Sequence, residues 1–174
     1  MPLFFLLVLA SCLGGVKNSG KVRGYEPGRV LMKKSFYEVG EVSSDWQLFK
    51  LQSATVAFYH QDSGSTMATA AFCDQAYNDS PLKMLTKHLF PGLQNLEISH
   101  QESFSIDHRE ALRTWASAKL DGVRVDLDLV VIKKDACLFD FFLIHQGSLP
   151  VEIQREVRKD FEEFFKGFVF RGFL

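Results

Sequence analysis

The stretch from residue 109 to residue 146 limits the fold most strongly, because two short polar turns divide it into three runs with the character of β-strands. Asp121 and Gly122 form the first turn, and both residue types tolerate the positive φ angles of a two-residue hairpin. The second turn is predicted at residues 133–135. The run that follows, Cys137 to His145, is apolar on both faces and should therefore lie in the centre of a sheet that is covered on both sides.

The strand between these turns has a period of two. Apolar residues alternate with Arg124, Asp126 and Asp128, which predicts one apolar face and one largely polar face. Paired carboxylates could bind a cation or transfer protons, but an exposed polar strand face explains the same pattern more simply. We therefore favour a solvated face for the two aspartates.

A hairpin and two helices are predicted around these strands. Residues 53–60 and 66–73 read as two strands joined by a loop that contains glycine. Ser80 and Pro81 suit the N-cap and the first position of a short helix. Residues 148–150 predict the start of a second helix with one continuous apolar stripe. The stripe consists of Ile153, Val157, Phe161, Phe164, Phe165 and Phe168. The predicted architecture is an α+β fold, an antiparallel β-sheet with helices packed on its faces.

The first twelve residues resemble the signal segment of a bacterial lipoprotein. An apolar run, too short to span a bilayer, leads into Leu9-Ala10-Ser11-Cys12, which resembles the lipobox that precedes the modified cysteine. The resemblance implies a signal peptide at residues 1–11 and a lipid on Cys12 that anchors the protein to a membrane. No Lys or Arg precedes the apolar run, so a cleaved signal with an unmodified cysteine and an uncleaved apolar stub remain open.

Residues 12–35 are predicted to form a flexible tether, because they are rich in Gly, Ser, Asn and Pro. The segment is basic, and contact with anionic headgroups is an alternative to the solvated linker that we favour. The residue after the cysteine is Leu13 and not an aspartate. This resembles the sorting signal of outer-membrane lipoproteins more than that of inner-membrane lipoproteins. Residues 36–174 are predicted to form a single α+β domain.

The order of strands, short helix, meander and final Phe-rich helix resembles the PsbP-like α/β/α sandwich over residues 36–174. That fold is shared by photosystem II extrinsic proteins, a Ran-binding import factor and several bacterial periplasmic lipoproteins. More narrowly, Cys73 and residues 79–82, 109–112, 120–123 and 133–137 look like those of uncharacterised bacterial lipoproteins of that type. The resemblance implies a binding or assembly factor without catalysis of its own, and it carries over no functional residue.

Two cysteines remain once Cys12 is assigned to lipid. Cys73 ends a predicted strand and Cys137 opens the central one, and an oxidising compartment would favour a disulfide between them. Such a bond would close a long loop and stabilise the fold. Two buried free thiols are the alternative.

No motif in the sequence indicates catalysis, a metal or a cofactor. HExxH, CxxC, GxSxG and a glycine-rich phosphate loop are absent, and the five histidines are dispersed. A net charge of −1 gives no indication of nucleic-acid binding. We therefore expect a non-enzymatic, membrane-anchored lipoprotein that binds or helps to assemble an envelope protein.

Two other functions remain open from the sequence. The first is a carrier of a small apolar ligand, held between sheet and final helix in a pocket lined by Phe161, Phe164 and Phe165. The second is an enzyme whose site is assembled from distant residues. A cleft that gathers a histidine, a carboxylate and a perturbed pKa would favour the enzyme, whereas scattered exposed histidines would argue against it.

Overall fold

An antiparallel sheet of seven strands carries the fold, and a smaller sheet of four strands accompanies it. The computed structural model describes residues 22–33, 35–49 and 55–172. The strands are β1 (Val22–Glu26), β2 (Arg29–Met32), β3 (Phe36–Glu38), β4 (Trp46–Phe49), β5 (Thr55–His60), β6 (Ser65–Cys73), β7 (Gln94–Ile106), β8 (Arg109–Leu120), β9 (Val123–Lys134), β10 (Cys137–Gln146) and β11 (Val169–Arg171). The α-helices are α1 (Leu82–Leu85) and α2 (Val151–Lys166), with 3-10 turns at Gln75–Tyr77 and Thr86–Leu89. The predicted α+β class is therefore confirmed.

The apolar strand β10 lies in the middle of the large sheet, whose order is β4-β5-β6-β10-β9-β8-β7. Alternate side chains of β10 enter apolar clusters on opposite sides of the sheet: Phe139 and Phe141 on one, Leu138 and Phe142 on the other. The prediction of a central strand covered on both faces is thus confirmed.

Three two-residue turns connect the four consecutive strands of the meander, β7 to β10, and each turn begins with an aspartate. Asp121 and Gly122 have φ angles of 49° and 82°, as the hairpin prediction requires. The other two turns are Asp107-His108 and Asp135-Ala136, also with positive φ. The last turn begins at Asp135, the final residue of the predicted turn at 133–135, because Lys133 and Lys134 pair with β10 and so extend β9.

Helix α2 covers one face of the large sheet, which we call the α2 face. Phe161, Phe164 and Phe165 are at most 1% exposed. The Phe164 ring packs edge-on against Phe141 and Phe58, with centroid distances of 5.6 and 5.7 Å. At roughly 1.5–3 kcal/mol for each large side chain buried, this helix contributes strongly to stability. The helix ends at Lys166, directly before Gly167. Phe168, the last residue of the predicted stripe, lies beyond the helix but is buried against Phe139.

The small sheet has the order β1-β2-β3-β11 and corrects the prediction of a flexible tether at residues 12–35. Residues 22–32 form a hairpin that turns at Gly28, whose φ is 76°. Val30 and Met32 are buried, and Tyr25 packs edge-on against Phe58 at 5.1 Å. Burial of these apolar side chains is what holds the segment against the domain. The predicted signal peptide at residues 1–11, Cys12 and residues 13–21 of the predicted tether lie outside the described residues.

The short helix also differs from its prediction. Pro81, not Ser80, is the N-cap, and the Ser80 hydroxyl donates instead to the Ala76 carbonyl at 3.2 Å. One α-helical turn passes directly into the 3-10 turn that ends at Leu89, before Pro91. Within the ranges that the structure describes, neither helix combines the length and apolar character needed to cross a bilayer.

Candidate functional site

A buried ion pair joins the two middle strands of the meander on the α2 face. Arg113 of β8 donates to Asp128 of β9 through both Nε and Nη2, at 2.9 and 2.7 Å. The residues are 9% and 2% exposed, so the expectation of a solvated face is wrong for Asp128. The reason is the covering helix, from which Glu162 lies 3.5 Å from Arg113 Nη1.

Two carboxylates and two aromatic rings contact the Arg113 guanidinium. Burial lowers the pKa of Arg113, but the hydrogen bonds and charge of Asp128, together with Glu162, more than offset it and raise the pKa. The guanidinium also lies 4.5 Å from the Trp115 ring centre and 5.1 Å from that of Phe165. The Arg113 side chain therefore connects the sheet to α2.

A second pair lies on the opposite face of the sheet, under the segment of residues 74–93. Asp140, in the middle of β10, is fully buried, and its Oδ2 lies 2.7 Å from His88 Nε2. His88 Nδ1 also contacts the Leu85 carbonyl. Asp140 Oδ1 has no hydrogen-bond partner among the described residues. The Phe72 ring lies edge-on to His88, at 6.3 Å between centroids.

The Asp140 carboxylate makes protonation of His88 more favourable than it is for a free histidine. Burial lowers the pKa of His88, but the hydrogen bond and charge of Asp140, with the Leu85 carbonyl, outweigh it, and the pKa is raised. Tyr77 lies nearby, and burial followed by the charges of Asp74 and Asp140 raises its pKa. Because both ring nitrogens of His88 are engaged, neither is available to accept a proton from a substrate hydroxyl.

The third polar cluster joins β4 and β5 to α2. Trp46 Nε1 donates to Asp160 Oδ2 at 2.7 Å, and the His60 ring lies edge-on to Trp46 at 5.1 Å. His60 Nδ1 accepts from the Ser63 backbone N–H at 3.3 Å, while the Ser63 hydroxyl donates to Ser65. Serine, histidine and carboxylate thus lie in one region, but no serine hydroxyl is hydrogen-bonded to the imidazole, as a nucleophile–base pair requires.

The other histidines do not converge on a site. His100 stacks on Trp115 at 5.3 Å, His108 lies in a turn, and His145 contacts the Gln146 carbonyl at 3.1 Å. In residues 22–33, 35–49 and 55–172, no group of three or more His, Cys, Asp or Glu side chains is arranged to hold a metal ion.

A surface cavity of about 400 Å³ lies where the short helix meets the ends of β8 and β9. Its lining includes Leu82, Arg109, Glu110, Lys133 and Asp135. Lys133 Nζ donates to two backbone carbonyls, of Asn78 at 2.8 Å and Ser80 at 2.9 Å. Charges of both signs line this open cavity, which makes it a poor match for an apolar ligand.

The predicted site residues have three different outcomes. Cys73 and Cys137 face each other across β6 and β10 and are joined by a disulfide, in agreement with the pairing expected from the sequence. Phe161, Phe164 and Phe165 are packed into the core and do not line the described cavity, which leaves the predicted ligand pocket without support. Cys12 lies outside the described residues, so its lipidation stays a prediction.

Strand β7 is a long, exposed edge strand of the large sheet. It is thirteen residues long, pairs with β8 on one side and forms the edge of the sheet on the other. Most of its residues are exposed. Nothing in the sequence indicates that this strand ends the sheet, because edge position depends on the order of all seven strands.

No protein-family model matches this sequence, and no curated protein matches it. Solved structures do. A protein from Bacteroides thetaiotaomicron VPI-5482 has a TM-score of 0.56 and 14% identity over 89% of this chain, which spans about half (49%) of that protein. The protein of unknown function PA94 from Pseudomonas aeruginosa has a TM-score of 0.51 and 11% identity, over 69% of this chain and 95% of its own.

Cyanobacterial PsbP (CyanoP) from Synechocystis sp. PCC 6803 matches with a TM-score of 0.50 and 12% identity, over 92% of this chain and 98% of its own. Identities this low bear on the fold alone. The structural similarity and the strand order above show that this chain has an antiparallel α+β fold of the PsbP-like type.

Proposed function

We propose that this protein is a lipid-anchored binding or assembly factor of the bacterial cell envelope, which holds a protein partner and does not itself catalyse a reaction. The observation that carries the binding role is the contrast between buried and exposed polar groups. Arg113 and His88 are engaged by partners inside the fold, whereas the long edge strand β7 is exposed.

The proposed location rests on two features of the chain. The pattern Leu9-Ala10-Ser11-Cys12 suits acylation of Cys12, and the acyl chains would anchor the protein by burying methylenes, at about 0.8 kcal/mol each. The disulfide between Cys73 and Cys137 supports an oxidising compartment, such as the periplasm.

Expression of the full chain in a bacterial host tests the proposed anchor. We expect the wild type to have a mature mass that begins at Cys12 and includes acyl groups, and to fractionate with membranes. The Cys12→Ala variant should lose both properties, because it has no thiol to form the thioether. Ser11→Ala is the matched control, since a small residue is retained before the cysteine.

The same two proteins test the binding role. Crosslinking in intact cells should attach the wild type to a defined envelope protein, and the attachment should weaken when Cys12→Ala releases the domain from the membrane. A soluble, unmodified wild type would contradict the anchor, whereas turnover of a substrate by the purified domain would contradict the non-enzymatic role.

A further inference from the structure

We propose that the edge of β7 from His100 to Ile106 is a docking site for an extended, basic segment of a partner protein, which would join the sheet as an additional antiparallel strand. This inference specifies the partner of the binding role proposed above and therefore rests on it.

The turn determines which backbone groups of β7 point outward. Asp107 and His108 have φ angles of 47° and 60°, as in a two-residue hairpin of the primed type. In such a hairpin the flanking pair, Ile106 and Arg109, is hydrogen-bonded. Hydrogen-bonded and non-bonded pairs then alternate along the ladder.

The register therefore determines which backbone groups of β7 point away from β8. Phe104 with Ala111 and Glu102 with Arg113 are the next hydrogen-bonded pairs toward β8. The backbone N–H and C=O of Gln101, Ser103 and Ser105 consequently point away from β8, along the edge of the sheet.

The two halves of β7 differ in how the edge is protected. Register shifts occur between Gln94 and Glu97 and between Ile98 and His100, and such bulges disrupt pairing with an added strand. From His100 to Ile106 the register is continuous, without proline or lysine. Seven regular residues exceed the usual strand length of about 5–6 residues, so this half can accept a whole strand.

Side chains along this half define the partner's chemistry. His100, Glu102, Phe104 and Ile106 lie in one row on the α2 face, and Phe104 is supported there by Phe165 at 5.9 Å. The other row, Gln101, Ser103 and Ser105, is polar and uncharged. Strand β7 carries two glutamates and neither Lys nor Arg. A complementary segment would place a basic residue opposite Glu102, apolar residues on either side of it, and small polar residues on the other face.

The peptide acetyl-Val-Thr-Val-Thr-Lys-Thr-Val-amide has this pattern and serves as the probe. Titration into the ¹⁵N-labelled full chain should shift the amide signals of Gln101, Ser103 and Ser105 and slow their hydrogen exchange. Replacing the peptide's lysine by glutamate should weaken binding about tenfold or more, a difference of about 1.4 kcal/mol. Glu102→Lys in the protein should reverse the preference between the two peptides.

Ser103→Pro tests the backbone contacts, because it removes an outward N–H without removing a bond to β8. It should weaken binding at least about tenfold, whereas Ser103→Ala, which keeps the N–H, should bind as the wild type does. Equal amide spectra away from β7 confirm that both variants are folded. If Ser103→Pro does not fold, the charge reversal at Glu102 decides.

Two results would overturn the inference. One is the absence of shifts at Gln101, Ser103 and Ser105 at millimolar peptide, or binding that is indifferent to the charge reversal. The other is protection of these amides that rises with protein concentration without peptide, which would assign the edge to a second copy of the chain. The peptide assay needs no membrane, so failure here leaves the anchor at Cys12 untouched, and failure of the anchor leaves this edge untouched.

Discussion

Asp140 stands out among individual residues, because a carboxylate in the middle of a central strand is costly unless it is paired. His88 supplies that pairing from the 3-10 turn that covers this face. The two residues are 52 positions apart, and the sequence around each gives no indication of the other. They connect the covering segment to the sheet as Arg113 and Asp128 connect β8 to β9.

Stability should depend on the titration of His88. Its raised pKa means that the folded state binds the proton more tightly than the unfolded state, whose histidine pKa is about 6.5. The stabilisation is therefore complete below about pH 6.5 and is lost as the pH rises through the folded pKa. We expect the difference in unfolding free energy between wild type and His88→Gln to shrink from about pH 6 to about pH 9, as measured by urea unfolding. A difference that stays constant or grows with pH would contradict the charged pair, and His100→Gln on the exposed edge is the control.

At the scale of elements, two glycines set how closely the end of α2 approaches the loop after β3. Gly40 donates its N–H to the Phe164 carbonyl at 2.8 Å. A Cβ on Gly40 would lie 2.7 Å from the Glu163 carbonyl carbon, and one on Gly167 would lie 2.6 Å from that of Val39. Both obstacles are backbone atoms, which cannot rotate away as a side chain can.

Gly40→Ala and Gly167→Ala should therefore each displace the helix end and destabilise the fold by at least about 2 kcal/mol. Thermal and urea unfolding would measure the loss. Gly172→Ala, where an added Cβ meets no atom within 4 Å, should change stability little. Equal stability of all three variants would show that the loop and the helix can separate without cost.

Elements with a strong period were predictable from sequence, and elements held by distant contacts were not. The alternation in β9 and the stripe of α2 each identify one buried face without reference to the rest of the chain. The β1–β2 hairpin lies among basic residues that suggested a linker, although Pro27 and Gly28 were a usable turn signal. Burial of Asp128 required knowing that α2 lies above it, and the edge position of β7 required the order of the whole sheet.

At the scale of the molecule, the disulfide joins positions 64 residues apart. In the chain-entropy model such a closure stabilises the folded state by about 4 kcal/mol. The double variant Cys73→Ala with Cys137→Ala should lose about that amount in urea unfolding, and a reducing agent should destabilise the wild type but leave the double variant unchanged. Equal stability of oxidised and reduced wild type would show that packing alone keeps β6 beside β10.

The position of β10 also has a consequence for the order in which the protein can fold. Strands β4, β5 and β6 touch β9, β8 and β7 in the sheet only through β10, a late strand in the chain. Until residues 137–146 have been synthesised, β6 and β9 each present an unpaired inner edge, and Cys73 has no partner thiol in β10. Closure of the sheet must therefore wait for β10, and it depends on contacts between residues far apart in sequence, which form slowly.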